Sequence, residues 1–202
     1  MIKLFCFPRS GNSREVKLVL AEKNIPFEPL NVHGDPAVKE SPDFKKASPQ
    51  GKVPAIVDGD VYMSEAFHIN QYLEKKFPSP ALLPPSQEKR NEIESFVTEI
   101  DKSFVLKIGL LLIECILKPK DRQKEEVKEA HRAEIREGLK KIDRMLEGKE
   151  YLFGEYSLAD IALTPHIAAL PILGSGIPAE FTHAVAWFAR LQKRPSFAAS
   201  QG

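Results

Sequence analysis

The sequence predicts an α/β domain over residues 1–78, a linker over 79–88 and an all-helical domain over 89–202. Three observations predict this. The first third alternates short apolar runs with segments of helical period. Four prolines, Pro78, Pro80, Pro84 and Pro85, then fall close together. After them no stretch has the pattern of a strand.

The elements follow in order. Ile2 to Phe7 reads as a buried strand. Val16, Val19 and Leu20 fall at i, i+3, i+4, one face of a helix. Phe27 to Val32 reads as a second strand, parallel to the first because a helix lies between them. A polar stretch with Pro36, Pro42 and Pro49 predicts short irregular helix. Val53 to Val57 and Val61 to Met63 flank Asp58-Gly59-Asp60, a turn signal, and predict a hairpin. Ala66, Ile69, Tyr72, Leu73 and Phe77 mark the next helix. A βαβ unit followed by a ββα unit is a thioredoxin-like arrangement. Proline fixes φ and removes donors, so the cluster after it predicts a stiff extended linker.

In the second half, Ile93, Phe96, Val97, Ile100 and Phe104 keep helical spacing, as do Val127, Ile135, Leu139, Ile142 and Leu146. Lys118 to Glu129 is nearly all charge, the mark of a solvated helix end or loop. Ser157-Leu158-Ala159-Asp160 has the shape of a capping box, with Asp for the usual Glu. It opens Ile161 to Leu173, an apolar segment with little polar face and hence a core helix. Val185, Phe188 and Ala189 mark a last helix that ends near Arg194-Pro195.

Composition narrows the function classes. With 29 basic and 28 acidic side chains the net charge is +1, which favours neither nucleic acid nor an acidic membrane as partner. No apolar run is long enough to span a bilayer, and the N-terminus lacks the features of a signal peptide. Cys6 and Cys115 are far apart, and neither they nor the five histidines show metal-ligand spacing. A reduced, cytoplasmic setting without a metal is the expectation.

Ser10-Gly11-Asn12-Ser13 lies between the first strand and the first helix. Small polar residues there aim backbone N–H groups and a hydroxyl at a helix N-terminus, where the dipole favours an anion. A thiol has a pKa of about 8.5, and such surroundings lower it. Ser10 is therefore the candidate thiol activator, acting by hydrogen bonding rather than as a nucleophile. The simpler reading is a plain cap, with Asn12 as N-cap and Glu15 at N3. Gly51-Lys52-Val53-Pro54-Ala55 opens the third strand. A cis Val53–Pro54 bond would turn the Val53 N–H and C=O toward an incoming extended peptide.

Gly51-Lys52-Val53-Pro54-Ala55-Ile56, the Asp58-Gly59-Asp60 turn, and Glu65 with Ile69 and Tyr72-Leu73 resemble the glutathione-site block of the soluble glutathione transferase superfamily. Ser10, followed by Asn12-Ser13-Arg14 and Val16, resembles the serine-type activating segment of its phi and theta classes. Ser157-Leu158-Ala159-Asp160-Ile161 and Arg194-Pro195-Ser196 resemble signatures of its helical half, so the likeness spans nearly the whole chain. The resemblance implies a cis Pro54, a homodimer, and glutathione as co-substrate. It also assigns places along that tripeptide. Ser10, with Asn12 beside it, would face the sulfur, and Val53 would pair with the cysteinyl backbone. Lys52 and Lys39 would sit near the glycyl carboxylate, and Glu65 would sit beside the γ-glutamyl ammonium.

One position departs from the family. Its Glu-Ser pair is Glu65-Ala66 here, so the γ-glutamyl carboxylate would meet only the backbone N–H of Ala66. The expected activity is transfer of glutathione to a small hydrophobic electrophile. Glutathione-dependent disulfide or peroxide reduction stays open beside it because of Asn12. A catalytically silent interaction module stays open because of Ala66. Phe104, Lys107, Ile108 and Leu111 read either as an acceptor wall or as core.

Overall fold

A computed structural model describes residues 1–201, and the chain divides into two units, residues 1–83 with 193–201, and Pro84–Gln192. The first unit runs β1 (Ile2–Cys6), α1 (Gly11–Glu22), β2 (Phe27–Asn31), α2 (Pro36–Glu40), α3 (Pro42–Ala47), β3 (Ala55–Asp58), β4 (Val61–Ser64) and α4 (Ala66–Lys76). The sheet has the order β2-β1-β3-β4, with β1 and β2 parallel and the β3–β4 hairpin antiparallel to β1. This is the expected thioredoxin-like arrangement.

Strand period explains how the sheet is covered. Phe5 enters a cluster with Val32, Phe44, Ala47, Ala55 and Val57, its ring 5.3 Å from that of Phe44. Ile2, Leu4 and Cys6 point the other way and are also buried, so both faces are packed. The hairpin turns at Gly59, whose φ of 61° suits a residue without Cβ. The Asp58 carboxylate accepts from Tyr72 OH at 2.8 Å and pairs with Lys76, which ties the turn to α4.

α1 packs against α4 through apolar faces that include Val16, Val19, Ile69 and Leu73. Two buried polar links join the same helices. Asn70 Nδ2 donates to Glu15 Oε1 at 2.7 Å, and Lys23 Nζ lies 2.6 Å from Glu74 Oε2 as an ion pair. Lys23 also donates to the carbonyls of Phe77 and Pro80, and Glu74 Oε1 accepts from the N–H groups of Leu82 and Leu83. The proline-rich stretch, expected as a stiff extended linker over 79–88, is thus anchored to α1 and α4 as far as Leu83.

The tail also differs from the expected limits. A short helix, Pro195–Ala199, packs on α1 within the first unit. Arg194 grips Glu22 with two nitrogens at 2.7 and 2.8 Å, and Arg14 donates to Ser200 Oγ and the Phe197 carbonyl. Both ends of α1 are thus held by the last residues of the chain.

The second unit is helical. It holds α5 (Gln87–Ile100), α6 (Leu106–Leu112), α7 (Glu125–Met145), α8 (Leu158–Ala168) and α9 (Thr182–Gln192). Two π-helical stretches, Asp101–Val105 and Ile113–Leu117, continue α5 and α6. Phe104, Ile108 and Leu111 are core, and Lys107 pairs with Glu134 at 2.7 Å. Phe104 packs so tightly on Gly138 of α7 that a Cβ there would clash with its ring. The charged stretch before α7 is a single 3-10 turn, Lys120–Arg122, followed by the exposed first turn of α7.

α8 carries the predicted capping box. Ser157 Oγ accepts from the Ala159 N–H at 3.3 Å, and Asp160 Oδ2 accepts from the Ser157 N–H at 3.0 Å. Asp160 Oδ1 takes the Leu152 N–H at 3.1 Å and the Trp187 Nε1–H at 2.8 Å. Burial pushes this carboxyl up in pKa, against the pull of its donors.

Candidate active site at one end of the sheet

Strand register gathers the candidate residues. β1 runs toward Cys6, which pairs with Asn31 at the end of β2. Phe5, one residue earlier, pairs with Ala55 at the start of β3, and Ala55 pairs with Ser64 at the end of β4. Ser10, Val53-Pro54 and Glu65-Ala66 therefore leave the sheet at the same end, from β1, β3 and β4. α1 and α4 both start there and run away from it, so both positive dipole ends face that end.

The two helix starts are built differently. Ser10 is the N-cap of α1, with φ −84° and ψ 118°, and its Oγ accepts from the Ser13 N–H at 3.2 Å. A hydroxyl has one donor and two acceptor sites, so this bond leaves the Ser10 O–H available. The cap is Ser10 and not Asn12, which stands half-buried at N2. Ser13 at N3 is buried and accepts from the Phe7 N–H at 3.3 Å, and Glu15 turns instead to Asn70.

Glu65 is the N-cap of α4, but its exposed side chain makes no cap bond. Its φ of 73° is rare for a residue with a Cβ. Such a backbone costs of order 1–3 kcal/mol and holds only where its surroundings impose it. Ala66, buried at N1, leaves the first N–H groups of α4 without a side-chain acceptor.

The remaining candidates fall as follows. The Val53–Pro54 bond is cis, and Val53 lies just outside the β1–β3 ladder, which begins at Ala55. Lys52 is exposed, and its N–H donates to Ser48 Oγ at 2.9 Å. Lys39 is exposed in the last turn of α2, reached from the end of β2 through residues 32–35. Burial pushes the Cys6 thiol up, away from nucleophilic use. Among the described residues no His, Cys, Asp and Glu cluster could hold a metal ion, and no helix is long and apolar enough to cross a membrane. Sequence reading did not reach the Glu15–Asn70 bond, since a buried polar residue inside an apolar helix face was its sole trace.

Comparison with known proteins places this geometry. Residues 4–81 match the family model "Glutathione S-transferase, N-terminal domain", and residues 107–195 match "Glutathione S-transferase, C-terminal domain". Glutathione S-transferase Z2 of Arabidopsis thaliana is 32% identical over 171 residues, 83% of this chain and 76% of that protein. A stringent starvation protein A homolog of Coxiella burnetii is 25% identical over 99% of this chain and 91% of its own. Among solved structures, the theta class glutathione S-transferase of Xanthomonas axonopodis pv. citri, solved with glutathione bound, superposes with a TM-score of 0.88. It is 24% identical, over 98% of this chain and 96% of that one, and so shares the fold. The chain belongs to the glutathione S-transferase family.

Proposed function

We propose that this protein is a glutathione transferase that uses Ser10 to hold the glutathione sulfur as a thiolate and conjugates it to a small hydrophobic electrophile. The observation that carries this is the Ser10 hydroxyl. It caps α1 as an acceptor, which leaves its O–H to donate at the positive end of the helix.

The spacing supports the rest. Ser10 and Ala66 leave strands β1 and β4, two sheet neighbours apart, or roughly 10 Å. An extended tripeptide spans about that length. Its γ-glutamyl carboxylate would lie on the open N–H groups of α4 with Glu65 beside the ammonium. Its cysteinyl backbone would lie along Val53 and Pro54, and its glycyl carboxylate near Lys52 and Lys39. Asn12, at N2, would stand beside the sulfur. The same reading includes a homodimer in the cytoplasm, and the dimer is checked by the mass in solution.

Ser10→Ala tests the reading. Loss of a hydrogen bond to a charged group is worth about 1.5–3 kcal/mol, or on the order of tenfold to a hundredfold in rate. Turnover of an aryl halide should fall by that factor, while glutathione affinity changes little. Wild-type turnover in the mutant at neutral pH would overturn the role of Ser10.

Ala66 favours a second reading, a silent interaction module, because the family's serine is absent where the ligand carboxylate must bind. Retention on immobilised glutathione with no turnover of an aryl halide or a mixed disulfide would select it. Turnover of the mixed disulfide alone would select the reductase reading.

A further inference from the structure

We propose that Asn70 is a positioning residue for glutathione: its hydrogen bond to Glu15 sets the spacing between the two helix N-termini that receive the sulfur and the γ-glutamyl end. The inference rests on the glutathione reading above and adds a residue that touches neither ligand nor reacting atom.

The bond has a defined place. Glu15 is the fifth residue of α1 and Asn70 the fifth of α4, counted from Gly11 and Ala66. At 1.5 Å rise per residue the link lies about 6 Å behind each helix start. It joins the helices at matching depth, close to the end that faces the ligand. Asn70 is 1% exposed and Glu15 6%, so water does not compete for the contact. The amide has one allowed orientation, since a carboxylate accepts and only Nδ2 donates. Oδ1 then faces away and has no partner among the described residues.

Stability alone is a poor account of this pair. A buried acceptor without a partner is a cost, and apolar residues of similar size pack two helices at least as well. Val16, Val19, Ile69 and Leu73 already supply such packing. Apolar contact tolerates a slide of one helix along the other, whereas a hydrogen bond is specific in distance and direction. The second link, Lys23 with Glu74, lies at the far ends of the helices and also holds the 77–83 segment. The near link therefore serves to fix the relative level of the Ser10 cap and the Ala66 N–H groups. A peptide that spans both needs that level set.

The test sets turnover against affinity. Turnover of an aryl halide and calorimetric binding of glutathione are measured on the wild type, on Asn70→Leu, and on the exchange variant Glu15→Gln with Asn70→Asp. In that variant the new amide at position 15 donates to the new carboxylate at position 70. A misplaced reacting group loses on the order of tenfold to a hundredfold in rate. Asn70→Leu should therefore lower turnover at saturating glutathione by about tenfold or more. Glutathione affinity, spread over many contacts, should change by less than about twofold, the usual error of additivity. The exchange variant should recover the wild-type turnover. Lys23→Met, which cuts the far link, should lower thermal stability and leave the turnover of the folded protein unchanged. Wild-type turnover in folded Asn70→Leu, or turnover and affinity lost together there, overturns the proposal. If Asn70→Leu does not fold, turnover in the exchange variant decides. A wild type that does not bind glutathione, or binds it without turnover, defeats the reading above, and this inference with it.

Discussion

α8 and α4 begin in opposite ways. At α8 one carboxylate gathers the cap: Asp160 takes the N–H groups of Leu152 and Ser157, the Ser157 hydroxyl and the Trp187 indole, all in a buried setting. At α4 the cap side chain makes no bond, the backbone of Glu65 is held at φ 73°, and the first residue is an alanine. A closed helix start stabilises the fold. An open one keeps its N–H groups for a ligand and carries strain that the rest of the unit must hold.

The largest expected effect breaks the closed start. Asp160→Ala leaves four buried donors without their acceptor, and each unmet donor costs about 1–3 kcal/mol. A total loss of about 3 kcal/mol or more should lower Tm by roughly 10 °C, at about 2–4 °C per kcal/mol for a chain of this size. Scanning calorimetry reads it, and the folded fraction at low temperature should keep its glutathione affinity. A wild-type Tm, or a specific loss of binding, would remove the distinction between the two helix starts.

That capping box was legible in the sequence because its partners lie within four residues of each other. The strands and helix faces were legible for the same reason, since periods of two and 3.6 show in short windows. The links that set helices against one another were not. Glu15 finds Asn70 at a separation of 55 residues and Glu22 finds Arg194 at 172, and nothing local announces either partner. The N-cap of α1 was misread for a different reason. Ser10, Asn12 and Ser13 are all good caps, and Ser10 prevails because Ser13 is drawn inward to the Phe7 N–H. The positions of Val53 and Glu65-Ala66 came from the family likeness, while their meeting at one sheet end came from the register.

The next effect probes α8 through pH. His166 is buried, and burial lowers its pKa from the usual 6.5 to about 4. Between those values the unfolded chain takes up a proton that the folded one refuses. The stability this gives is full above pH 6.5 and is lost as pH falls through about 4. At 1.36 kcal/mol per unit the loss approaches about 3 kcal/mol. Tm should fall on acidification from pH 7 to 4.5, and less steeply in His166→Gln. Parallel curves for the two proteins would show that His166 is not held neutral.

The smallest effect sharpens the open start. At α4 the ligand carboxylate would meet backbone donors alone, because Ala66 has no hydroxyl to add. Ala66→Ser supplies one at a helix N-terminus, where serine is well tolerated, so folding should not suffer. One charge-assisted hydrogen bond is worth about 1.5–3 kcal/mol, or on the order of tenfold in affinity. Ala66 is 6% exposed, so the hydroxyl must reach the ligand from a confined place, and the lower end of that range is expected. Calorimetry should show tighter glutathione binding. The pH dependence of the bound thiol should stay as it is, because the proposed place of the sulfur is at the α1 end of the tripeptide. A change in the thiol titration would mean that the two helix starts are electrostatically coupled and not separate. Unchanged or weaker binding would mean that the open N–H groups of α4 already satisfy the carboxylate, or that the ligand there is not a γ-glutamyl peptide.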